Sequence, residues 1–167
     1  MAVPSSMPNG TTHSARSGRG ADLAAQLEAD GWIHLRNRKV VLSLGGLDAA
    51  LPEVPVDAGQ VRQAVLNVAV NAVQAMAGQP RRQLIVLCRA DQGQAQVLVC
   101  DTGTGLSEEL RAHWGEPLRS TRPDGLGMGL AISRDIMARH HGTLSLLDRP
   151  EGGVQALLGL PLLADAA

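Results

Sequence analysis

A chain of 167 residues, 44% apolar and with a formal net charge of −1 at pH 7, is long enough to close one sizeable core. The near-neutral balance gives no electrostatic basis for binding nucleic acid or an anionic membrane, and no apolar run approaches the roughly 20 residues that span a bilayer. The N-terminal MAVPSSMPNGTTHSARSGRG lacks the apolar stretch of a secretory signal, so a cytoplasmic chain without membrane contact is expected.

Residues 1–20, rich in Ser, Gly, Pro, Thr and Arg, read as a disordered tail or linker, which leaves a single domain over 21–167. ADLAAQLEAD has the apolar spacing of a short helix, and KVVLSL is a β-branched run that predicts a strand. Pro52 and Pro55 break the loop that follows, and Asp57 is placed to cap the next helix. That helix, over 60–76, presents Val61, Ala64, Val65, Val68, Ala72, Val73 and Met76 as a core stripe. QLIVLCRA and AQVLVCDTG predict a hairpin around DQGQ. Cys88 and Cys100 fall in these apolar strands and read as buried free thiols in preference to a disulfide or a metal pair. Residues 102–126 form a long connection, of a length that is more often functional than decorative, with one helical turn at SEELRAHW. LGMGLAISRDIMARHHG predicts a helix ended by Gly142, and TLSLLDRP and GVQALLGLPL a second hairpin around EGG. Helices mixed with mostly antiparallel strands point to a two-layer α/β sandwich, a mixed sheet packed on helices.

Three segments carry chemistry. On the long helix Gln60, Gln63, Asn67, Asn71 and Gln74 recur at spacings of three and four residues, which puts five carboxamides on one stripe. Two readings stand: the amides bond neighbouring loops and water, or they face a polar ligand. Asn is a poor helix former, so two of them one turn apart ask for a compensating role, and an amide oxygen suits Mg²⁺ shared with phosphate oxygens. The second segment, Asp101-Thr-Gly-Thr-Gly105, follows an apolar strand; its carboxylate can accept a hydrogen bond from an exocyclic amine, though turns of Asp and Gly are common in any protein. The third, DGLGMGL over 124–130, places glycines at alternate positions before a helix, where backbone N–H groups can meet an anion. It is neither a Walker A loop nor a Rossmann turn.

The order and spacing of the three segments resemble the Bergerat (GHKL) ATP-binding fold, and most of all the catalytic domain of bacterial sensor histidine kinases, over roughly residues 35–163. QAVLNVAVNAVQAM is similar to the N box of that family, VCDTGTGL to its G1 box and DGLGMGLAISRDI to its G2 box. The resemblance implies binding of ATP with Mg²⁺. Asn71 would be the Mg²⁺ ligand, Asn67 would line the same pocket and Gln74 would sit near the phosphates. Asp101 would accept the adenine amino group, with Gly103 and Gly105 letting the chain pass close to the base. Gly125, Gly127 and Gly129 would form the hinge of an ATP lid and the phosphate-facing helix start, in a binding stretch that includes Met128 and Leu130. Gln60 and Gln63, nearer the helix start, read as structural. Hydrolytic relatives carry a Glu one turn before the metal Asn as a base for water. Asn67 is a poor base, which favours phosphoryl transfer to a protein nucleophile over hydrolysis.

Between the G1 and G2 boxes the family carries a segment near FEPFFTTK. Here Gly115-Glu-Pro-Leu-Arg-Ser-Thr-Arg122 stands in its place. Ser120 and Thr121 keep hydroxyls for the nucleotide, and Arg122 keeps a cation that could meet the γ-phosphate. The aromatics are replaced by Gly115, Leu118 and Arg119, with Trp114 one position away to help anchor the lid. No His motif with an acidic neighbour precedes the N box: His34 lies too close to Asn67 for a phosphoacceptor hairpin, and His140 and His141 end a helix, where a cation opposes the dipole. The expected function is therefore transfer of the γ-phosphoryl from Mg-ATP to a histidine on a dimerisation and phosphoacceptor domain, in cis in a longer parent or in trans, with a response regulator downstream. Two alternatives follow from the same residues: a degenerate nucleotide-binding regulator without transfer, or an anti-sigma-like Ser/Thr kinase, against which Asn67 argues.

Overall fold

A computed structural model describes residues 40–45, 54–114 and 126–163. Five strands, β1 (Val41–Gly45), β2 (Gln83–Asp91), β3 (Gln94–Cys100), β4 (Thr143–Asp148) and β5 (Val154–Pro161), form one sheet in the order β1-β2-β3-β5-β4. Only β1 and β2 run parallel; the other three pairings are antiparallel. Three helices, α1 (Ala58–Ala75), α2 (Glu108–His113) and α3 (Leu126–Arg139), complete the described elements. The mixed sheet packed on helices is the two-layer sandwich expected from the sequence. The ADLAAQLEAD helix and the residues 115–125 lie outside the described residues.

Hydrophobic periodicity decides which side is buried. Every member of the α1 core stripe is buried, and with Leu130, Ile136 and Met137 of α3 it packs on Leu84, Val86, Val99, Ala156 and Leu158 of the sheet. α1 starts where expected: the Asp57 carboxylate accepts from the Gln60 N–H at 3.1 Å, as an N-cap does. The β2–β3 connection turns on Gln92 and Gly93, both in the left-handed region (φ 51° and 71°), which suits the right-handed twist of a two-residue hairpin. Cys88 and Cys100 are buried and free. Cys88 stands opposite Val97, and Cys100 opposite Ile85, three positions along the ladder, too far apart to bridge.

The end of α3 departs from expectation in detail. Its left-handed residue is His141 (φ 56°), not Gly142. The Gly142 N–H donates to Met137 O at 2.8 Å and the His141 N–H to Ala138 O at 3.0 Å, the paired bonds of a Schellman motif. His140 meets the helix end through a hydrogen bond of its ring, which accepts at Nε2 and so is not the cation expected there, and it also reaches further. Its Nδ1 bonds Ile136 O at 2.8 Å, and its Nε2 accepts from the Asp57 backbone N–H at 3.1 Å. One imidazole thus ties the last turn of α3 to the first turn of α1.

Candidate nucleotide site

The amide stripe of α1 divides by position. At the helix start Gln60 bonds back to Asp57 Oδ2 at 3.4 Å, a local contact. One turn on, Gln63 Nε2 donates to Asn67 Oδ1 at 3.1 Å, and Asn67 Nδ2 donates to Gly129 O at 3.3 Å. A carbonyl only accepts, so the amide nitrogen of Asn67 must face Gly129, which fixes the orientation of the side chain. The first turn of α3 lies directly on this surface: a Cβ at Gly129 would sit 3.6 Å from Asn67 Cβ and 3.9 Å from Asn71 Nδ2. Asn71 Nδ2 itself is buried and has no hydrogen-bond partner among the described residues. Such a group carries a penalty of about 1–3 kcal/mol unless something meets it. Gln74 is half-buried one turn further along.

Asp101 directly follows β3 and is 3% exposed. Both hydrogen bonds it accepts fall on Oδ1, from the Gly103 N–H at 2.8 Å and the Val154 N–H at 3.2 Å. Oδ2 has no protein partner among the described residues. Burial pushes the carboxyl above the usual Asp range, against the two backbone donors and the Arg149 guanidinium, which pull it down. Behind it, Arg149 Nη1 donates to Asp101 O at 2.6 Å and Nη2 to Glu151 Oε1 at 2.8 Å. Gly153 (φ 87°) comes closer still: a Cβ there would lie 2.1 Å from Asp101 O.

The loop after Asp101 is pressed onto the C-terminal end of α1. A Cβ at Gly103 would lie 2.7 Å from Ala75 O, and the Thr104 N–H donates to the same oxygen at 3.3 Å. Thr102 Oγ1 accepts from Gln83 N at 3.0 Å and donates to Arg81 O at 2.9 Å. Gly105 (φ 87°) turns the chain, and Asp148 then accepts from the Leu106 N–H at 2.9 Å and from Arg111 at 2.6 Å. Trp114 packs on the core, with its carbonyl taking a 2.6 Å bond from Arg134 and its ring 5.7 Å from that guanidinium. It anchors the end of α2 to α3.

One face of α1 therefore carries Asn67 and Asn71 beneath the start of α3 and, one turn beyond Asn71, Ala75 against the Asp101 loop. Of the residues singled out in the sequence, Asn67, Asn71, Gln74, Asp101, Gly103 and Gly129 border this region; Gly105 lies against Asp148, Leu130 is buried in the core, Met128 is exposed on α3, 56% of its surface free, and Gly127 belongs to the first turn of that helix. Ser120, Thr121, Arg122 and Gly125 lie outside the described residues. Sequence reasoning missed Asp148, Arg149 and Gly153, which hold Asp101 and its loop from more than 40 positions away; the only local signal was the EGG turn.

The sequence model of the family described as "Histidine kinase-, DNA gyrase B-, and HSP90-like ATPase" matches residues 56–164. The chain belongs to this ATPase family. Its relatives within it are sensor kinases. It is 35% identical over 123 residues to the C4-dicarboxylate transport sensor protein DctS of Rhodobacter capsulatus, 72% of this chain and 19% of that protein. Over 141 residues, 78% of this chain and 40% of that protein, it is 28% identical to the sensory histidine kinase/phosphatase NtrB of Vibrio alginolyticus. The catalytic domain of the histidine kinase ThkA has the same fold, with a TM-score of 0.73, 21% identity and coverage of 86% of this chain and 93% of that one. The ATPase domain described above shares the fold of a histidine-kinase catalytic domain, and it spans less than half the length of these curated relatives. Among the described residues no helix is long and apolar enough to cross a membrane.

Proposed function

We propose that this domain binds ATP with Mg²⁺ between α1, the Asp101 loop and the start of α3, and passes the γ-phosphoryl group to a histidine of a phosphoacceptor domain. That domain would be joined to it in a longer protein or act as a separate chain, with a response regulator downstream. The observation that carries this reading is two polar groups with unused hydrogen-bonding capacity bordering one face of α1: the buried, unpartnered Asn71 amide nitrogen and Oδ2 of Asp101, a carboxylate whose two bonds both fall on Oδ1. Groups of this kind ask for a ligand with a donor at the Asp101 end and an acceptor at the Asn71 end, and the exocyclic amine and the phosphate oxygens of ATP fit both.

In this reading Asp101 Oδ2 accepts from the adenine 6-amino group, while the two backbone donors hold Oδ1 and fix the plane of the carboxylate. Asn71 supplies an amide oxygen to Mg²⁺. Among the described residues no three His, Cys, Asp or Glu side chains converge on a metal, so the ion would take its remaining ligands from phosphate oxygens and water. Asn67, with its oxygen bonded to Gln63 and its nitrogen to Gly129, holds the first turn of α3 over the floor and has no basic group to offer a water molecule. Ser120, Thr121, Arg122 and Gly125 would meet the phosphates from the connection before α3. Bound Mg-ATP supplies the phosphoryl group; this chain positions it, which is most of what phosphoryl transfer requires of a protein.

The test is transfer of label from γ-labelled ATP to a purified histidine phosphoacceptor domain of a sensor kinase. Acid-labile label on the acceptor, absent with Asn71→Ala, is expected. Release of free phosphate at the same rate with or without the acceptor would contradict the reading.

A further inference from the structure

The turn between β4 and β5 closes through its own backbone: the Arg149 N–H donates to Gly153 O at 2.9 Å and the Gly152 N–H to Arg149 O at 3.0 Å. Neither bond needs the Arg149 side chain. That side chain is nonetheless drawn inward, 14% exposed against 63% for its partner Glu151, and its Nη1 meets the Asp101 carbonyl oxygen at 2.6 Å. A guanidinium is costly to take out of water, so its placement asks for a reason beyond the turn. The strand ladder supplies one. Cys100 pairs with Gln155, which sets Asp101 opposite Val154, and the Asp101 N–H donates to Val154 O at 3.0 Å. In a regular antiparallel pair of this kind the Val154 N–H returns to the carbonyl facing it. Here it is drawn to Asp101 Oδ1 at 3.2 Å, and Arg149 meets the carbonyl. The exchange turns a main-chain donor onto the carboxylate. With the Gly103 N–H on the same oxygen at 2.8 Å, Oδ1 is fixed from two sides.

We propose that Arg149 is a positioning residue of the nucleotide site: by taking the Asp101 carbonyl it leaves the Val154 N–H to orient the carboxylate, and so sets how tightly the 6-amino group of the base is held. This rests on the reading that Asp101 Oδ2 accepts from that group. Without the guanidinium the carbonyl would be short of a donor, and a buried acceptor is costly to leave unpaired. It would reclaim the Val154 N–H, the donor already opposite it. Oδ1 would then keep the Gly103 bond alone, and the carboxylate would be free to turn. The Arg149 cation acts in the same sense, since it pulls the carboxyl down against burial and so favours the charged acceptor. Arg149 does both through Asp101.

A pair of nucleotides separates this role from a merely structural one. The full chain and Arg149→Met are titrated calorimetrically with ATP and with purine riboside triphosphate, which is ATP without the 6-amino group. Wild type should bind ATP the more tightly. In Arg149→Met the ATP affinity should fall at least about tenfold, the order of one hydrogen bond to a charged group, while the analogue, which never made that bond, stays within about twofold. Arg149→Lys keeps the charge and a donor, and its ATP affinity should lie between the two. Should Arg149→Met not fold, Arg149→Lys decides: its loss must fall on ATP and spare the analogue. Equal losses for both nucleotides would make the guanidinium a support of the fold alone and overturn the proposal, as would an unchanged preference for ATP in the folded variant. A wild type indifferent to the amino group would overturn the reading of Asp101 itself, and this role with it.

Discussion

At Asp101 burial and hydrogen bonding pull the carboxyl in opposite directions, and burial prevails. A carboxyl whose folded pKa is raised above its unfolded value stabilises the fold only while protonated, and that contribution is lost as pH rises through the folded pKa. At neutral pH the buried charge is therefore a liability to the fold. Asp101→Asn retains an oxygen for the Gly103 and Val154 donors and removes the charge. The nucleotide-free variant should unfold at a higher temperature than wild type at pH 7, with the difference shrinking as pH falls toward the ordinary carboxyl range near 4; melting curves across pH check this. Gly153→Ala should act differently, because its Cβ would meet the Asp101 carbonyl oxygen at 2.1 Å. Denaturant titration should show a loss well beyond the roughly 1–2 kcal/mol of a left-handed alanine alone. Gly152→Ala, also left-handed but with open space around it, should show only that smaller loss. Asp101 was legible in the sequence because it precedes a strand-end glycine pair. Its supports were not, because Arg149 bonds it across 48 positions through a main-chain oxygen and leaves no pattern in the residue string.

Elements were the most legible level, since α1, β2, β3 and β5 each bury a side that periodicity already marks. Asp57 could be read as a cap because it stands just ahead of an amphipathic run. Asp57→Ala should remove about 1 kcal/mol of stability, measured by denaturant unfolding, with no effect on the Asp101 loop. What could not be read is how helices meet. His140 joins α3 to the backbone of Asp57, and the buried Ser133 hydroxyl lies 3.1 Å from Ala64 O and 2.8 Å from Gly129 O. Asn67 likewise looked like a pocket residue in sequence; the structure gives it a bond to Gly129 as well. A carboxylate at that position would face the Gly129 carbonyl, acceptor against acceptor, and would lose this bond.

At the scale of the whole molecule, one core serves both layers, and the face of α1 that leaves the core carries the amides. The fold was readable because apolar periodicity, caps and turn residues agree; strand order was not, since β5 inserts between β3 and β4 by pairings that no local signal announces. That insertion brings Arg149, Gly153 and Val154 behind Asp101. The site is thus assembled by the sheet at one end and by the α1–α3 contact at the other. The central claim is that these two ends hold one Mg-ATP. Calorimetric titration of the chain with ATP, with and without Mg²⁺, beside Asp101→Asn and Asn71→Ala, tests it most directly. The account predicts Mg²⁺-dependent binding in wild type, none in Asp101→Asn, and binding without Mg²⁺ dependence in Asn71→Ala. Equal affinity in all three proteins, or no binding by the wild type, would contradict it.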